Sequence, residues 1–520
     1  MPPKKEKTPA QLSDLSTEVL LLIFGNFCLH CCREYDQPRG VGTYQQHHEK
    51  RVRRRVRSQP EAKPWYAADR QALCSLCLVS KKIRAVAQSI MYHEFRLGHD
   101  DAAGTGIYSW ERRIESFMWT TVARPELASA VKVVSIRPPL DQTFSVKEAK
   151  DTLLRIAKIR KIDLAAAWRK RLSLASPGEK AQWPWHYHAF VSSFLDLKGD
   201  ANTISKLNKS LAYPWTRKAL VSELVAMLVS QLPHVQYFHL RDRELWPPAG
   251  IRPSTFPSLG VATLPFTTIA TDAPLSSLIG LAEDLKTLNI HAPKRGFPKR
   301  VPNLPSVTCL RITGVAMRDE TLEFLLARCN GSLQTFVYEA RYSENDENTA
   351  EDSFNDPIEG HFRPSFAIKN LASHQSSLKA FHLDLRGQEH FSTSGEPKFH
   401  LKNFEVLEDV LLSTNAIYAL VEGGTDDLNS LVQLLPRSIV SLHLTVLGQN
   451  EASRLVDGLR GLVGTLQSQS DQFPKLRLIH HDYVGFSDGG DEGVELALRS
   501  LGVAFAFRSW PMAHLESPIH

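Results

Sequence analysis

A six-residue rhythm recurs along this chain: an apolar residue, two of any kind, an apolar one, one of any kind, and a final apolar one. It reads VKVVSI from Val131, VQYFHL from Val235, LKTLNI from Leu285, VTCLRI from Val307 and LQTFVY from Leu333. It continues as LKAFHL from Leu378, LEDVLL from Leu407, IVSLHL from Ile439 and, degenerately, LRLIHH from Leu476. The rhythm alone constrains little, since three apolar matches fall together by chance in about 4% of windows, or about twenty times in a chain this long. Its setting constrains more. Several copies follow a helix-like stretch and a short turn, as in LVSQLPHVQYFHL, LIGLAEDLKTLNI, LARCNGSLQTFVY, LASHQSSLKAFHL and LVQLLPRSIVSLHL. Helix, turn and strand make one supersecondary unit, and such a unit cannot bury its apolar face without a neighbour. The units are therefore expected to stack, with the variable stretches between them bulging outward.

Side chains alternate across a strand, so the residues flanking the last apolar positions share the opposite face. Those residues include His239, Arg241, Asn289, His291, Arg311, His382, Asp384, His443 and His480. A row of long polar side chains on one sheet face is the expected target-binding surface. The rhythm resembles the strand segment of leucine-rich repeats in irregular form.

The N-terminal region is different. In LSDLSTEVLLLIFGNFC (Leu12 to Cys28), Ser16 can cap a helix and Glu18 puts negative charge in its first turn. Leu15, Val19, Leu22, Ile23 and Phe27 recur at spacings of three and four, and Leu20, Leu21 and Phe24 widen that stripe to most of the circumference. A second stretch, ALCSLCLVSKKIRAVAQSIMYHEFRL (Ala72 to Leu97), repeats the spacing through Leu73, Leu76, Val79, Ile83, Val86 and Ile90. Helices apolar nearly all round must be covered on more than one side.

Together these stretches resemble the F-box of filamentous-fungal proteins, a small helical module that docks on a Skp-type adaptor of a cullin-based ubiquitin ligase. The resemblance implies adaptor-binding roles for Leu15, Val19, Ile23, Phe24, Leu76, Val79 and Ile83, with Ser80 and Tyr92 also matching. Two features depart from the family pattern: Leu15-Ser16 stands where Leu-Pro is usual, and an insertion at about 29–70 separates the helices. The implied protein is a non-enzymatic substrate-recognition subunit that holds a target protein through its later region. An F-box scaffold acting outside a ligase, or a zinc-stabilised nuclear factor binding nucleic acid, are the alternatives.

The expected architecture is thus a mixed α+β and α/β chain. A disordered basic tail (1–11) precedes an F-box-like helical module (12–97), a helical linker or first irregular repeats (98–230) and a leucine-rich-repeat-like solenoid (231–520) with an acidic loop at 343–360. Within the linker, 145–175 and 216–235 read as amphipathic helices, and WPWHYHAF (Trp183 to Phe190) as an aromatic core edge.

Other motifs carry less. KRVRRRVR (Lys50 to Arg57) holds six basic residues in eight but no aromatic to stack a base, so it reads as a solvated loop and nucleic acid is not expected. Cys28, Cys31, Cys74 and Cys77 form two pairs with zinc-ligand spacing. Cys74 and Cys77 fall inside a helical pattern where free cysteine packs as a small apolar residue, so neither metal nor cofactor is expected. The odd total of seven cysteines is a poor disulfide framework and points to a reducing compartment, cytoplasmic or nuclear, and no apolar run approaches the ~20 residues needed to cross a bilayer, so no membrane is expected. No P-loop or HExxH occurs. GFSDG (Gly485 to Gly489) lies too near the end of the sequence to be followed by the strands a nucleophile elbow needs, and Gly458, Gly461 and Gly464 suit a helix better than a phosphate cradle. His480, His481 and Asp482 adjoin at a strand end but lack a further ligand.

Overall fold

The structure is a computed structural model, and it describes residues 11–33, 65–97, 112–136, 146–174, 214–240, 258–265, 282–291, 303–313, 319–329, 331, 333–340, 362–386, 399–418, 427–446, 449–469, 471–482 and 492–507. Among the described residues, β1 to β3 pair side by side in parallel in sequence order, and so do β4 to β12. The chain divides into two compact units.

The first unit comprises Met1–Ala175, Pro184–Asp242 and Ala249–Leu259. It opens with α1 (Thr17–Gly25), α2 (Trp65–Leu76) and α3 (Lys81–Met91), followed at once by β1 (Glu94–Leu97). After α4 (Arg113–Ala123) and α5 (Pro125–Ala130) comes β2 (Val133–Ile136); after α6 (Val146–Ile159), α7 (Leu164–Leu174) and α8 (Pro214–Ser230) comes β3 (Tyr237–Leu240). The register pairs Phe95 with Val134 and Val134 with Phe238, then Leu97 with Ile136 and Ile136 with Leu240, which puts six apolar side chains on one face. Phe117 of α4 stacks on Phe95 with ring centroids 4.0 Å apart.

The second unit comprises Gly260–His520 with Ser176–Trp183 and Arg243–Pro248. Its strands are β4 (Val261–Pro265), β5 (Thr287–His291), β6 (Cys309–Thr313), β7 (Thr335–Glu339), β8 (Ala380–Asp384), β9 (Asp409–Ser413), β10 (Ser441–Thr445), β11 (Leu478–His481) and β12 (Ala504–Phe507). The helices between them are α9 (Asp319–Ala327), α10 (Pro364–Leu371), α11 (Thr414–Ile417), α12 (Ser430–Leu434), α13 (Gln449–Ser468) and α14 (Glu492–Ser500). Register again explains the core. One apolar ladder runs Leu288, Leu310, Phe336, Phe381, Val410, Leu442, Ile479 across adjacent strands, and all seven are fully buried. At about 1.5–3 kcal/mol per buried side chain, such ladders are the main force holding helices and sheet together.

This α/β architecture corrects the expected fold class. A small helical F-box-like module followed by a separate leucine-rich-repeat-like solenoid is not what the chain adopts. The first strand forms inside the supposed module and pairs with β2, while Lys132 and Val133 donate their backbone N–H groups to the carbonyl of His93 at 2.8 and 2.9 Å. The N-terminal helices are therefore built into the sheet. Tyr92 to Leu97 carries the strand rhythm itself, but helical periodicity up to Met91 runs straight into it, and a four-residue parallel strand gains its hydrogen bonds only from a partner distant in sequence.

The basic tail up to residue 10, KRVRRRVR, WPWHYHAF, the acidic stretch at 343–360 and GFSDG lie outside the described residues. Among the described residues no helix is long and apolar enough to cross a membrane.

Candidate functional site

The N-terminal helices bury one set of apolar side chains and leave another uncovered. Ser16 caps α1 by accepting the Val19 N–H at 3.4 Å, and Asn26 closes it by donating to the carbonyls of Leu22 and Ile23 at 2.9 and 3.2 Å. Leu20, Phe24 and Cys28 face inward onto Leu73, Ile83, Val86, Ala87 and Ile90, with Leu15, Phe27, Leu76, Cys77 and Met91 packed at the margin. The inward stripe is thus displaced by about one residue from the one that spacing alone suggests.

Seven of the eleven exposed large apolar side chains among the described residues belong to this region: Leu12, Val19, Leu21, Leu22, Ile23, Leu78 and Val79. Leu22, Leu78 and Val79 stand out furthest, at 75%, 80% and 62% exposure. The turn carrying Leu78 and Val79 is held against the start of α1, because Lys82 donates to the carbonyls of Ser13 and Leu15 at 2.8 and 2.7 Å. Ser80 caps α3 through the Ile83 N–H, and Arg84 donates to the carbonyl of Cys77 at 2.8 Å. Of the expected adaptor contacts, Val19, Ile23 and Val79 are exposed, and Leu15 and Leu76 are half-buried. Phe24 and Ile83 are each 1% exposed, so they build the platform and cannot themselves touch a partner. Leu22 and Leu78 were not among the expected contacts, although a helix apolar all round signals that some such residue must face outward.

The polar sheet residues behave otherwise. Asn289, Arg311, His382, His443 and His480 do fall in one row of the second unit, and His239 occupies the equivalent position in the first. However, Arg311, His382, Asp384 and His443 are buried, while His239, Asn289 and His480 are half-buried. Arg241 and the His291 side chain lie outside the described residues.

The buried members pair among themselves. Arg311 donates to Glu339 at 2.7 Å. Arg386 bridges two carboxylates, Asp384 at 2.7 Å and Asp482 at 2.6 Å. Asp409 lies 3.6 Å from His382 Nε2 and 3.3 Å from His443 Nε2, and it accepts from Ser441 at 2.9 Å. Burial disfavours the Asp409 anion, yet the hydrogen bonds from His382 and His443 prevail and hold its carboxyl well below the usual range. One Nδ1 of the His443–His480 pair donates to the other across 3.2 Å. Asp409, Ser441 and His480 are half-buried, and the remaining side chains make an internal network rather than a free polar surface.

The cysteine pairs also separate. Cys74 is exposed, with Sγ 3.4 Å from Met91 Sδ, and Cys77 packs half-buried beside the apolar core. Cys28 and Cys31 cluster instead with His30 and His93. No protein-family model matches the chain, and no curated protein does either.

Proposed function

We propose that this chain is a non-catalytic recognition subunit that docks on a Skp-type adaptor through the outer face of α1 and the α2–α3 turn, and so belongs to a cullin-based ubiquitin ligase. The observation that carries the reading is the concentration of uncovered apolar side chains at Val19, Leu21, Leu22, Ile23, Leu78 and Val79. Contiguous apolar patches rimmed by polar residues mark protein contact surfaces, and this one lies on the stretches that resemble an F-box. Lys81, Lys82 and Arg84 rim the turn with basic charge. Ubiquitin transfer to a bound target would follow from proximity alone.

Covering Leu22 or Leu78 fully would contribute about 1.5–3 kcal/mol each to the complex. Leu22→Asp combined with Val79→Asp is expected to lower co-elution with the adaptor by at least about tenfold. Both side chains are exposed, so circular dichroism and the thermal midpoint should be unchanged. Equal co-elution of variant and wild type, or no co-elution of the wild type, contradicts the proposal.

A further inference from the structure

We infer that Cys28, His30, Cys31 and His93 form a tetrahedral site for a thiophilic divalent cation, zinc foremost, joining the turn after α1 to the residue that leads into β1. One ligand atom from each of the four residues lies within 4.8 Å of every other. Cys31 Sγ is 3.3 Å and Cys28 Sγ is 3.9 Å from His93 Nδ1. Ligand atoms around zinc, with bonds of about 2.3 Å to sulfur and about 2.0–2.1 Å to nitrogen, stand about 3.3–3.8 Å apart in a tetrahedron. The cluster needs only small movements to reach that geometry.

The ligands are held in place by contacts that do not involve an ion. Hydrogen bonds from the Cys28 N–H to the Gly25 carbonyl and from the Cys32 N–H to the Cys28 carbonyl, both 3.0 Å, fold the chain so that Cys31 returns beside Cys28. A Cβ at Gly25 would stand 3.3 Å from Cys31 Cβ, so the absence of a side chain there eases this approach. The His30 N–H donates to Glu94 Oε1 at 2.8 Å, and the His93 carbonyl is fixed by the two amides that begin β2.

His30 supplies the decisive detail. Its Nε2 is 3.0 Å from Gln236 Oε1, and since an amide oxygen only accepts, Nε2 carries the proton. That tautomer leaves a lone pair on Nδ1, which is buried, makes no hydrogen bond of regular geometry and interacts with the Cys28 thiol. A metal-binding histidine whose second nitrogen donates to an amide or carboxylate oxygen is the usual arrangement of such a site. Coordination would release the protons of Cys28 and Cys31. The Cys28 thiol would then give up its 3.2 Å contact to Glu94, which keeps the His30 N–H.

Packing cysteines would need none of this convergence, and a redox pair would need only the two thiols. The site is tested on the full-length chain purified under reducing conditions, by elemental analysis and by cobalt(II) substitution. The expected result is one zinc per chain, and a cobalt form with the sulfur-to-metal charge-transfer band and intense d–d absorption of a tetrahedral thiolate site. Cys31→Ser should lose both signals while Cys74→Ser retains them. Gln236→Leu, which removes only the outer hydrogen bond, should weaken zinc about 10–100-fold in competition with a chromophoric chelator. A chain that takes up neither ion, a disulfide between Cys28 and Cys31 in its place, or metal content unchanged in Cys31→Ser overturns the inference.

Discussion

Arg386 serves two buried carboxylates with a single positive charge. Asp384 takes one side of its guanidinium and Asp482 the other, and both aspartate side chains are nearly enclosed, at 6% and 7% exposure. One negative charge is left over. Burial pushes the Asp482 carboxyl up to about 6, against the pull of Arg386 and of the Val446 N–H. The folded-state value lies above the ordinary 3.8, so the folded protein holds this proton more tightly than the unfolded chain does. Stability from this group is therefore full below about pH 4 and falls, by about 3 kcal/mol, as pH rises through about 6. Asp482→Asn keeps an oxygen for Val446 and removes the titration. Its thermal midpoint relative to wild type should be higher at about pH 8 than at about pH 4.5; a difference constant or reversed with pH would contradict the account.

At the scale of elements, α13 offers an internal comparison. Its three glycines share a spacing but not a setting. A Cβ on Gly461 would meet the Leu428 carbonyl oxygen at 1.7 Å, whereas one on Gly464 meets nothing within 4 Å. Gly461→Ala should cost about 1–3 kcal/mol by forcing the helix off its neighbour, and Gly464→Ala should gain about 0.5–1 kcal/mol from helix propensity. Chemical denaturation of the two variants decides it; equal effects would mean that close approach does not set the packing of α13. Elements were unevenly legible from the sequence. Each of the nine copies of the apolar rhythm ends in a strand, because alternation and a buried face are local properties of sequence. Strands β1, β4 and β12 fall outside those nine copies. Val261 to Pro265 offers Ala262 where the rhythm wants a large residue, and β12 follows Gly502, whose φ of 77° belongs to a turn. The stretch 145–175 reads as one helix but breaks at Lys161, which adopts φ 56°, and Asp163 caps the second segment by accepting the Ala166 N–H at 2.9 Å. That break turns on one backbone conformation that periodicity does not register.

At the scale of the molecule, what the sequence conceals is which apolar and polar groups the fold consumes. The excess of apolar residues in α1 was plain, but a helix read alone does not say which side meets α3. Leu20 and Phe24 were taken inward, and Leu22 was left out. The polar row shows the converse. Alternation puts Arg311, His382 and His443 on one face, yet their partners Glu339 and Asp409 arrive from other strands, and only tertiary pairing reveals that they satisfy one another. The cysteines repeat the lesson. Two CxxC pairs suggested each other, while the fold supplied His93 from the far side of the insertion. The uncovered face of the N-terminal helices is the claim on which the functional reading stands. Amide hydrogen exchange of the full-length chain, with and without a Skp-type adaptor, tests it most directly. Protection gained over 17–25 and 77–83, with β4 to β12 unchanged, is the expected result; no protection there, or protection confined to the second unit, would contradict it.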